Sequence, residues 1–218
     1  TGAKLQLDYL NPGGAGTGKL LPSAHVLEDM EVDDHGTYTV SLVDAATPMV
    51  YVAAEALDMT ATERPEAIDA DKALKTRLEA IRRAGAIRMG LANRAEDVGF
   101  ASPRIAVVAA PIEFTALNDE IIAPDTQDLT VRVISGGDAH RASPLTSAMC
   151  LAAACKIEGT LPHSLATKNA SDVRIGNPSG VLSVGAEVIR EDGEWTTLLT
   201  RSYRTQRRLM EGMVLVPA

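Results

Sequence analysis

Apolar and polar residues alternate along several short stretches of the chain, a pattern typical of half-buried strands. Residues 4–10 (KLQLDYL) alternate in this way, because successive side chains of a strand point to opposite faces of a sheet. A second alternating stretch covers residues 37–43, and an apolar run follows at residues 48–53. Because turn-like residues bound both stretches, the two predict a strand hairpin. A Gly-rich loop follows the first strand.

A different period appears from Asp69 to about Leu91. Apolar residues recur there at three- and four-residue steps, with Arg and Lys between them. This spacing puts the apolar side chains on one face of a helix and predicts an amphipathic helix, with Asp69 as its N-cap. The apolar positions are Leu74, Leu78, Ile81, Ala84 and Met89.

The second half of the chain predicts one more helix among strands. Residues 144–157 have small side chains at most positions and precede Gly159, which predicts a helix that packs tightly inside a sheet or barrel. The strands are predicted at residues 104–109, 129–134, 181–190, 195–203 and 213–216.

Many strands with only two helices, and no regular alternation between them, predict an α+β fold with an antiparallel sheet. The chain has 218 residues, enough to bury a sizeable core, since chains of this size remove roughly 70% of their extended surface from water. Aromatic residues make up only 3% of the chain, so Val, Ile, Leu and Ala must fill the interior. Neither an internal repeat nor a low-complexity linker divides the sequence.

Charge and composition exclude several classes of protein. The formal net charge is −8, and a nucleic-acid surface needs clustered Lys and Arg instead. The sequence has neither a membrane-spanning run nor an N-terminal leader pattern, so a cytoplasmic location is expected. Cys150 and Cys155 are the two cysteines, and their spacing puts them on different faces of the predicted helix, against a disulfide. An anionic substrate is still compatible with the negative net charge, because one pocket needs only a few local cations or N–H groups.

The loop at residues 13–19 has most of the G-x-x-x-x-G-K pattern of a phosphate-binding loop. Leu20 stands where a Mg²⁺-binding Ser or Thr is needed, and Pro22 interrupts the helix that should follow, so nucleotide binding is not expected. Two interpretations remain open. The backbone N–H groups, with Thr17 and Lys19, form a concavity for an oxyanion, or the loop is simply a turn between strands.

The segment from Gly136 to Ser147 joins a predicted strand to the start of the Ala-rich helix. Helix N-termini expose unpaired N–H groups and attract anions. The anion-binding candidates are His140, Arg141, Ser143, Thr146 and Ser147. In the alternative interpretation Ser143 only caps the helix, Pro144 takes its first position, and His140 and Arg141 are solvated loop residues.

Other candidate chemistry is weaker. His25, His35 and His163 have no Cys or carboxylate at metal-ligand spacing, so no metal site is expected. The two cysteines do not form a racemase pair, because a two-base enzyme needs thiols that face each other across a substrate. Four arginines near the end of the chain fit a salt-bridged surface better than a binding site; they are Arg201, Arg204, Arg207 and Arg208.

Eight segments, in order and over nearly the whole chain, resemble the 2-methylaconitate isomerase (PrpF-type) family. They are TGKLLPS (17–23), SLVDAATPMVYVAA (41–54), LEAIRRAGAIRMGL (78–91), SPRIAVVAAP (102–111), LTVRVISGGDAHRA (129–142), CLAAACKIEGT (150–160), IGNPSGVLSVGA (175–186) and SYRTQRRLMEGMVLVP (202–217). Each is weak alone, but eight in the correct order are hard to explain by chance. Ala24 departs from the family, which usually has Gly there.

The resemblance implies a fold similar to diaminopimelate epimerase, with two lobes that each wrap a sheet round a central helix. This chain resembles the C-terminal half, an α+β lobe in which residues 144–157 are the central helix. Residues 1–24 would be the end of the first lobe and a cleft loop, residues 25–200 the second lobe, and residues 201–218 a terminal strand that returns to the first lobe.

The resemblance also implies a cofactor-free isomerase that moves an allylic proton in a tricarboxylate such as methylaconitate, aconitate or oxalomesaconate. The family's catalytic Lys and Cys belong to the first lobe, so this chain would supply substrate-binding residues: Thr17, Gly18, Lys19, His140, Arg141, Thr146 and Ser147. The expected partners are a polycarboxylate and a first lobe in the same protein or a partner chain; a homodimer is also open, and nucleic acid and membrane are not expected. The alternatives are a non-catalytic anion-binding or assembly module, and an amino-acid racemase, which the lack of a Cys before the Ala-rich helix disfavours.

Overall fold

A computed structural model describes residues 2–167 and 172–215 of the protein. The strands are β1 (Ala3–Leu10), β2 (Glu28–Val32), β3 (Gly36–Asp44), β4 (Pro48–Ala53), β5 (Arg104–Ala109), β6 (Phe114–Thr115), β7 (Ile121–Ile122), β8 (Leu129–Ser135), β9 (Asp138–Ala139), β10 (Val173–Asn177), β11 (Gly180–Glu191) and β12 (Glu194–Gln206). The helices are α1 (Pro65–Ala70), α2 (Lys72–Arg88), α3 (Leu145–Lys156) and α4 (Leu161–Leu165), with single 3-10 turns at Glu55–Leu57, Ala95–Asp97 and Pro124–Thr126.

Most of these strands form one large sheet. Its order is β1-β12-β11-β10-β8-β5-β4-β3-β2, with β9 added beside β8, and β6 and β7 form a separate small hairpin. Most neighbours in the large sheet are antiparallel, as expected, but β4 pairs with β5 and β10 with β8 in parallel. The architecture is therefore α+β with a mixed sheet, and the parallel pairs are a difference from the antiparallel sheet predicted from the sequence.

The sheet wraps round α3. Every residue of this helix from Ser147 to Cys155 is buried, and its apolar residues share one core with alternate residues of the surrounding strands, among them Tyr51, Ala106 and Val131. The small side chains of α3 let several strands approach its axis closely. This confirms that the Ala-rich helix is the central element.

The longer helix α2 covers the opposite face of the sheet. Its apolar stripe packs on the other set of alternate strand residues, including Val50 and Ile105. Gly85 lies at the closest approach, because a Cβ built there would be 2.5 Å from Cγ2 of Val50. The two helices thus occupy different faces of one sheet, and each face has its own core.

One helix boundary differs from the prediction. The side chain of Asp71, and not that of Asp69, caps α2 by accepting a hydrogen bond from the Leu74 N–H at 2.9 Å. Pro65 starts a separate short helix that contains Asp69, and the Asp69 carboxylate accepts from the N–H of Ala139 instead. The prediction of Asp69 as N-cap is therefore wrong, because Pro65 favours an additional helix start that periodicity did not resolve.

The predicted strand at residues 213–216 is also wrong over residues 213–215, which have no strand pairing and whose side chains are almost fully exposed; Val216 lies outside the described residues. The short strands β2, β6, β7, β9 and β10 and the helices α1 and α4 were not predicted. Among the described helices, none combines the length and apolar character needed to span a bilayer.

Candidate functional site

The end of β3 and the starts of β4, β5 and α3 meet at one end of the sheet. Asp44 at the end of β3 pairs with Pro48, and Met49 next to it pairs with Arg104, the first residue of β5. The Arg104 side chain in turn reaches the first turn of α3. The Gly-rich loop and the segment before α3 are both predicted from the sequence to bind anions, and both belong to this end.

The Gly-rich loop forms the expected concavity, and an internal carboxylate fills it. Oδ2 of Asp44 accepts hydrogen bonds from the N–H groups of Gly16 and Thr17, at 2.8 and 2.7 Å, and from the Thr17 hydroxyl at 2.9 Å. The Gly18 N–H donates to the carbonyl of Gly14. Because these donors are occupied, the direct binding of a substrate carboxylate by Thr17 and Gly18 stays a prediction, while their interaction with Asp44 fixes the loop.

Lys19 lies on a different side of the loop. It lines a cavity of about 690 Å³ together with His25, Arg190 and Trp195, and Arg190 lies over the Trp195 ring at 5.3 Å from its centroid. No described carboxylate forms an ion pair with the Lys19 ammonium. The role of Lys19 as a ligand for the same anion as α3 also stays a prediction.

The first turn of α3 lacks a side-chain cap. Pro144 is the N-cap residue, not the first helical residue, and the side chain of Ser143 does not cap the helix. The first intrahelical bond runs from the Ala148 N–H to the Pro144 carbonyl, so the N–H groups of residues 145–147 have no acceptor within the helix. This arrangement leaves the positive end of the helix dipole open to an anion.

Arg104 adds a cation to this helix end. Its Nη1 donates to the hydroxyl oxygens of Thr146 and Ser147, both at 2.9 Å, and its Nε is buried without an acceptor among the described residues. Because each hydroxyl accepts from Arg104, each retains its own proton for donation to another group. An oxyanion placed here would meet hydroxyl, guanidinium and backbone N–H donors together.

Arg104 was not among the site residues predicted from the sequence. The available signal was an Arg at the first position of an otherwise apolar strand, between Pro103 and Ile105. Alternation along β5 puts Arg104 on the same face as Ala106 and Val108, which pack in the core around α3. The sequence alone does not show that this face of β5 points to the start of α3, because that depends on where α3 lies.

His140 and Arg141 precede this helix end but differ in their surroundings. The pKa of His140 is lowered, first by burial and second by the nearby Arg104 guanidinium, so its imidazole is neutral at neutral pH. Arg141 forms an ion pair with Glu66 of α1, and its carbonyl accepts from the Ser179 hydroxyl at 2.6 Å. The structure thus brings His140, Thr146 and Ser147 near Arg104, whereas the Arg141 guanidinium is held by α1.

Comparison with known proteins shows to which family the chain belongs. The family model described as PrpF protein matches residues 1–217. The chain belongs to the PrpF family. It is 34% identical to the 2-methyl-aconitate isomerase of Shewanella oneidensis over 99% of this chain and 56% of that protein. It is 33% identical to the 3-methylitaconate isomerase of Eubacterium barkeri over 99% of this chain and 57% of that protein.

The PrpF fold is also seen in a solved structure. The crystal structure of methylitaconate-delta-isomerase matches with a TM-score of 0.85 and 31% identity, and covers 97% of this chain and 55% of that one. This confirms the family resemblance and the fold class of a lobe wrapped round a central helix. The chain spans about half the length of the curated relatives it matches.

The cysteines of this PrpF-family chain are not placed as nucleophiles. Cys150 and Cys155 are free thiols buried in α3; burial raises the pKa of Cys150 to about 12 and raises that of Cys155 as well. A thiol with so high a pKa is protonated at neutral pH and is a poor base. Within residues 2–167 and 172–215, no group of three His, Cys, Asp or Glu residues is placed to hold a metal ion.

Proposed function

We propose that this chain forms the carboxylate-binding half of an isomerase that shifts or inverts a C=C bond in an unsaturated tricarboxylate by allylic proton transfer, without a cofactor. The observation that carries the proposal is the position of Arg104 against the hydroxyls of Thr146 and Ser147, at the uncapped start of α3. Family membership supports the reaction class, because the relatives are named as isomerases of methylaconitate and methylitaconate.

The proposed reaction needs such a site for an electrostatic reason. Removal of an allylic proton leaves a carbanion whose charge spreads through the double bond into a conjugated carboxylate. Donors fixed around that carboxylate lower the barrier, because their interaction with it strengthens as charge develops. Arg104 and the first N–H groups of α3 would supply this stabilisation, and the proton would return at another carbon of the same allylic system.

The base would come from outside the described site. Burial and the nearby Arg104 guanidinium lower the pKa of His140 and so make its imidazole a weak base, and the two thiols are buried and protonated. The family resemblance instead assigns proton transfer to a Lys, aided by a Cys, in a first lobe. In this proposal residues 25–200 are the carboxylate-binding lobe, and residues 1–24 and 201–218 face the first lobe, with Asp44 holding the Thr17 loop as part of the cleft wall.

The experiment that tests the function follows the ultraviolet absorbance of aconitate-type acids incubated with the full-length protein. We expect conversion by the wild type and a loss on the order of 100-fold in kcat/KM for Arg104→Gln, the range found when one transition-state donor is removed. Arg94→Gln is a matched control, because Arg94 is exposed and pairs with Asp97 in the same turn. Equal activity of Arg104→Gln and Arg94→Gln would contradict the proposal.

A second function, a non-catalytic anion-binding module, would use the same geometry. The specific observation in its favour is that the imidazole near Arg104, that of His140, has a lowered pKa and is therefore a weak base. The two functions differ in outcome: a module binds tricarboxylates through Arg104 in titration calorimetry but leaves their absorbance unchanged. If the wild type neither converts nor binds these acids, both functions are wrong.

A further inference from the structure

A second cavity lies beside the start of α3. It has a volume of about 260 Å³, and its lining includes Ser143, Leu145, Asn177 and Arg204. Pockets that enclose a whole small molecule usually have roughly 300–1,000 Å³. The cavity therefore has the size for one arm of a ligand, and it shares Ser143 and Leu145 with the helix end that Arg104 also approaches.

Arg204 reaches this cavity from β12. The side chains of Thr200 and Ser202 are fully buried, and alternation along the strand puts Arg204 on the same face. Arg204 pairs across the strands with Leu5 of β1. Arg204 therefore lines a cavity beside the start of α3, on a strand other than the one that carries Arg104.

The arginines at the end of the chain differ in their partners. Arg201 forms a salt bridge with Asp8, and Arg208 with Glu211, as a salt-bridged surface predicts. Arg204 has no carboxylate partner among the described residues, and its one hydrogen bond runs to the carbonyl of Tyr203 at 3.1 Å. The interpretation as a salt-bridged surface is therefore wrong for Arg204, whose guanidinium retains donors for a ligand.

The cavity offers a second free donor and a fixed polar wall. The hydroxyl oxygen of Ser143 is buried without a hydrogen-bond partner among the described residues. The Asn177 amide is already satisfied, since it donates to the carbonyls of Ile175 and Gly180 and accepts from the Ser179 N–H. Among the described residues that line the cavity there is neither Asp nor Glu, so the charge of this lining favours an anion.

We propose that this cavity is a second carboxylate subsite, in which Arg204 and Ser143 hold one carboxylate while Arg104, Thr146 and Ser147 hold another. This inference rests on the proposed function and deepens it, because it makes the chain selective for acids with at least two carboxylates that reach both sides of the start of α3. Leu145 and Leu182 in the same lining would contact the hydrocarbon part of the carboxylate arm.

The test compares the binding of two acids that cannot be isomerised: tricarballylate, with three carboxylates, and butyrate, with one. Dissociation constants are measured by titration calorimetry on the full-length protein. We expect Arg204→Gln to weaken tricarballylate binding about 10- to 100-fold, as is common when a charge-assisted contact is lost, and to change butyrate binding by less than about threefold. Arg204→Lys should lie between the wild type and Arg204→Gln.

Two controls make the result specific. Arg207→Gln removes an exposed arginine that forms no ion pair with a described residue and is outside the described lining of the cavity, and it should bind both acids like the wild type. Arg104→Gln should weaken the binding of both acids, because each acid places a carboxylate in the subsite of Arg104. Thermal unfolding of every variant checks folding, and the exposed Arg204 side chain should be replaceable without loss of stability.

The outcomes separate this inference from the proposed function. If Arg204→Gln weakens the binding of both acids equally, or of neither, the second subsite is wrong even if the protein isomerises aconitate-type acids. If aconitate-type acids are not isomerised, but the binding of tricarballylate and not that of butyrate depends on Arg204, the second subsite is supported and the isomerase function is wrong. If the wild type binds neither acid, both are wrong.

Discussion

Replacement of Asp44 by Ala should destabilise the protein strongly, because one oxygen of its carboxylate accepts three hydrogen bonds from the Gly-rich loop. Oδ2 accepts three hydrogen bonds, two of them from backbone N–H groups of residues 27 and 28 positions away. A hydrogen bond to a charged group contributes about 1.5–3 kcal/mol, and three of them are not additive. In the wild type, the other oxygen, Oδ1, is buried without a described hydrogen-bond partner. This destabilises the fold by about 1–3 kcal/mol, a cost that Asp44→Ala removes. We therefore expect a net loss of about 3–5 kcal/mol, close to that for breaking a buried charged contact.

The assay is urea unfolding of wild type and variants, followed by circular dichroism. Asp29→Ala is the matched control, because Asp29 accepts one exposed hydrogen bond, from the Thr39 hydroxyl, and should lose less than about 1 kcal/mol. Thr17→Val removes one of the three donors to Asp44 and should lose about 1–1.5 kcal/mol. The effects of Thr17→Val and Asp44→Ala should not add, since they break the same contact.

A chemical rescue gives the sharper test of the concavity. Asp44→Ala empties a nest of N–H groups that would then bind a small carboxylate, and a ligand that binds only the folded state raises its stability. Formate should therefore raise the urea midpoint of Asp44→Ala and leave that of the wild type unchanged. If Asp44→Ala loses no more unfolding free energy than Asp29→Ala, or if formate stabilises wild type and variant equally, the Asp44 carboxylate does not fix the loop.

Three further outcomes are expected. Iodoacetamide should label Cys150 and Cys155 only after unfolding, because burial raises the pKa of both thiols; rapid labelling of the native protein, measured by mass spectrometry, would contradict this. The pKa of His140 is lower in the folded protein than its ordinary value of about 6.5, so the unfolded chain takes up a proton first as pH falls. The contribution of His140 to the free energy of unfolding is therefore present above about pH 6.5 and is lost as pH falls through the folded-state pKa. His140→Gln should therefore lose less stability than the wild type when urea midpoints are compared at about pH 7, 6 and 5, and parallel curves would exclude this role. Gly85→Ala should destabilise the protein by up to about 2 kcal/mol, because a Cβ at 2.5 Å from Val50 costs about 1–3 kcal/mol of overpacking and helix propensity returns about 1 kcal/mol. A thermal midpoint above that of the wild type would contradict this, since it would show that α2 moves away from Val50 without cost.

The parts of the fold that follow from the sequence are those with a strong local pattern. The apolar runs of β5 and β8 and the hairpin of β3 and β4 appear where predicted, because buried strands must carry contiguous or alternating apolar residues. The central position of α3 follows from its small side chains. Ala24 adopts a left-handed conformation with φ of +65°, a backbone geometry that favours Gly, which is the residue that the family resemblance implies at this position.

The candidate site depends on contacts that no local pattern contains. Arg104 is a candidate site residue only because α3, about forty positions later, starts beside it. Asp44 fills the Gly-rich loop through contacts at a separation of 27 residues, and the sequence pattern of the loop is the same whether a ligand or an internal carboxylate occupies it. The strand predicted near the end of the chain fails for a related reason, since strand propensity needs a partner strand to become structure.

The proposed role of Arg104 can be tested by a crystal structure of the full-length protein with tricarballylate. We expect one ligand carboxylate at the start of α3, within about 2.7–3.2 Å of the Arg104 guanidinium and of a hydroxyl of Thr146 or Ser147. A ligand bound elsewhere, with Arg104 still contacting only Thr146 and Ser147, would contradict it.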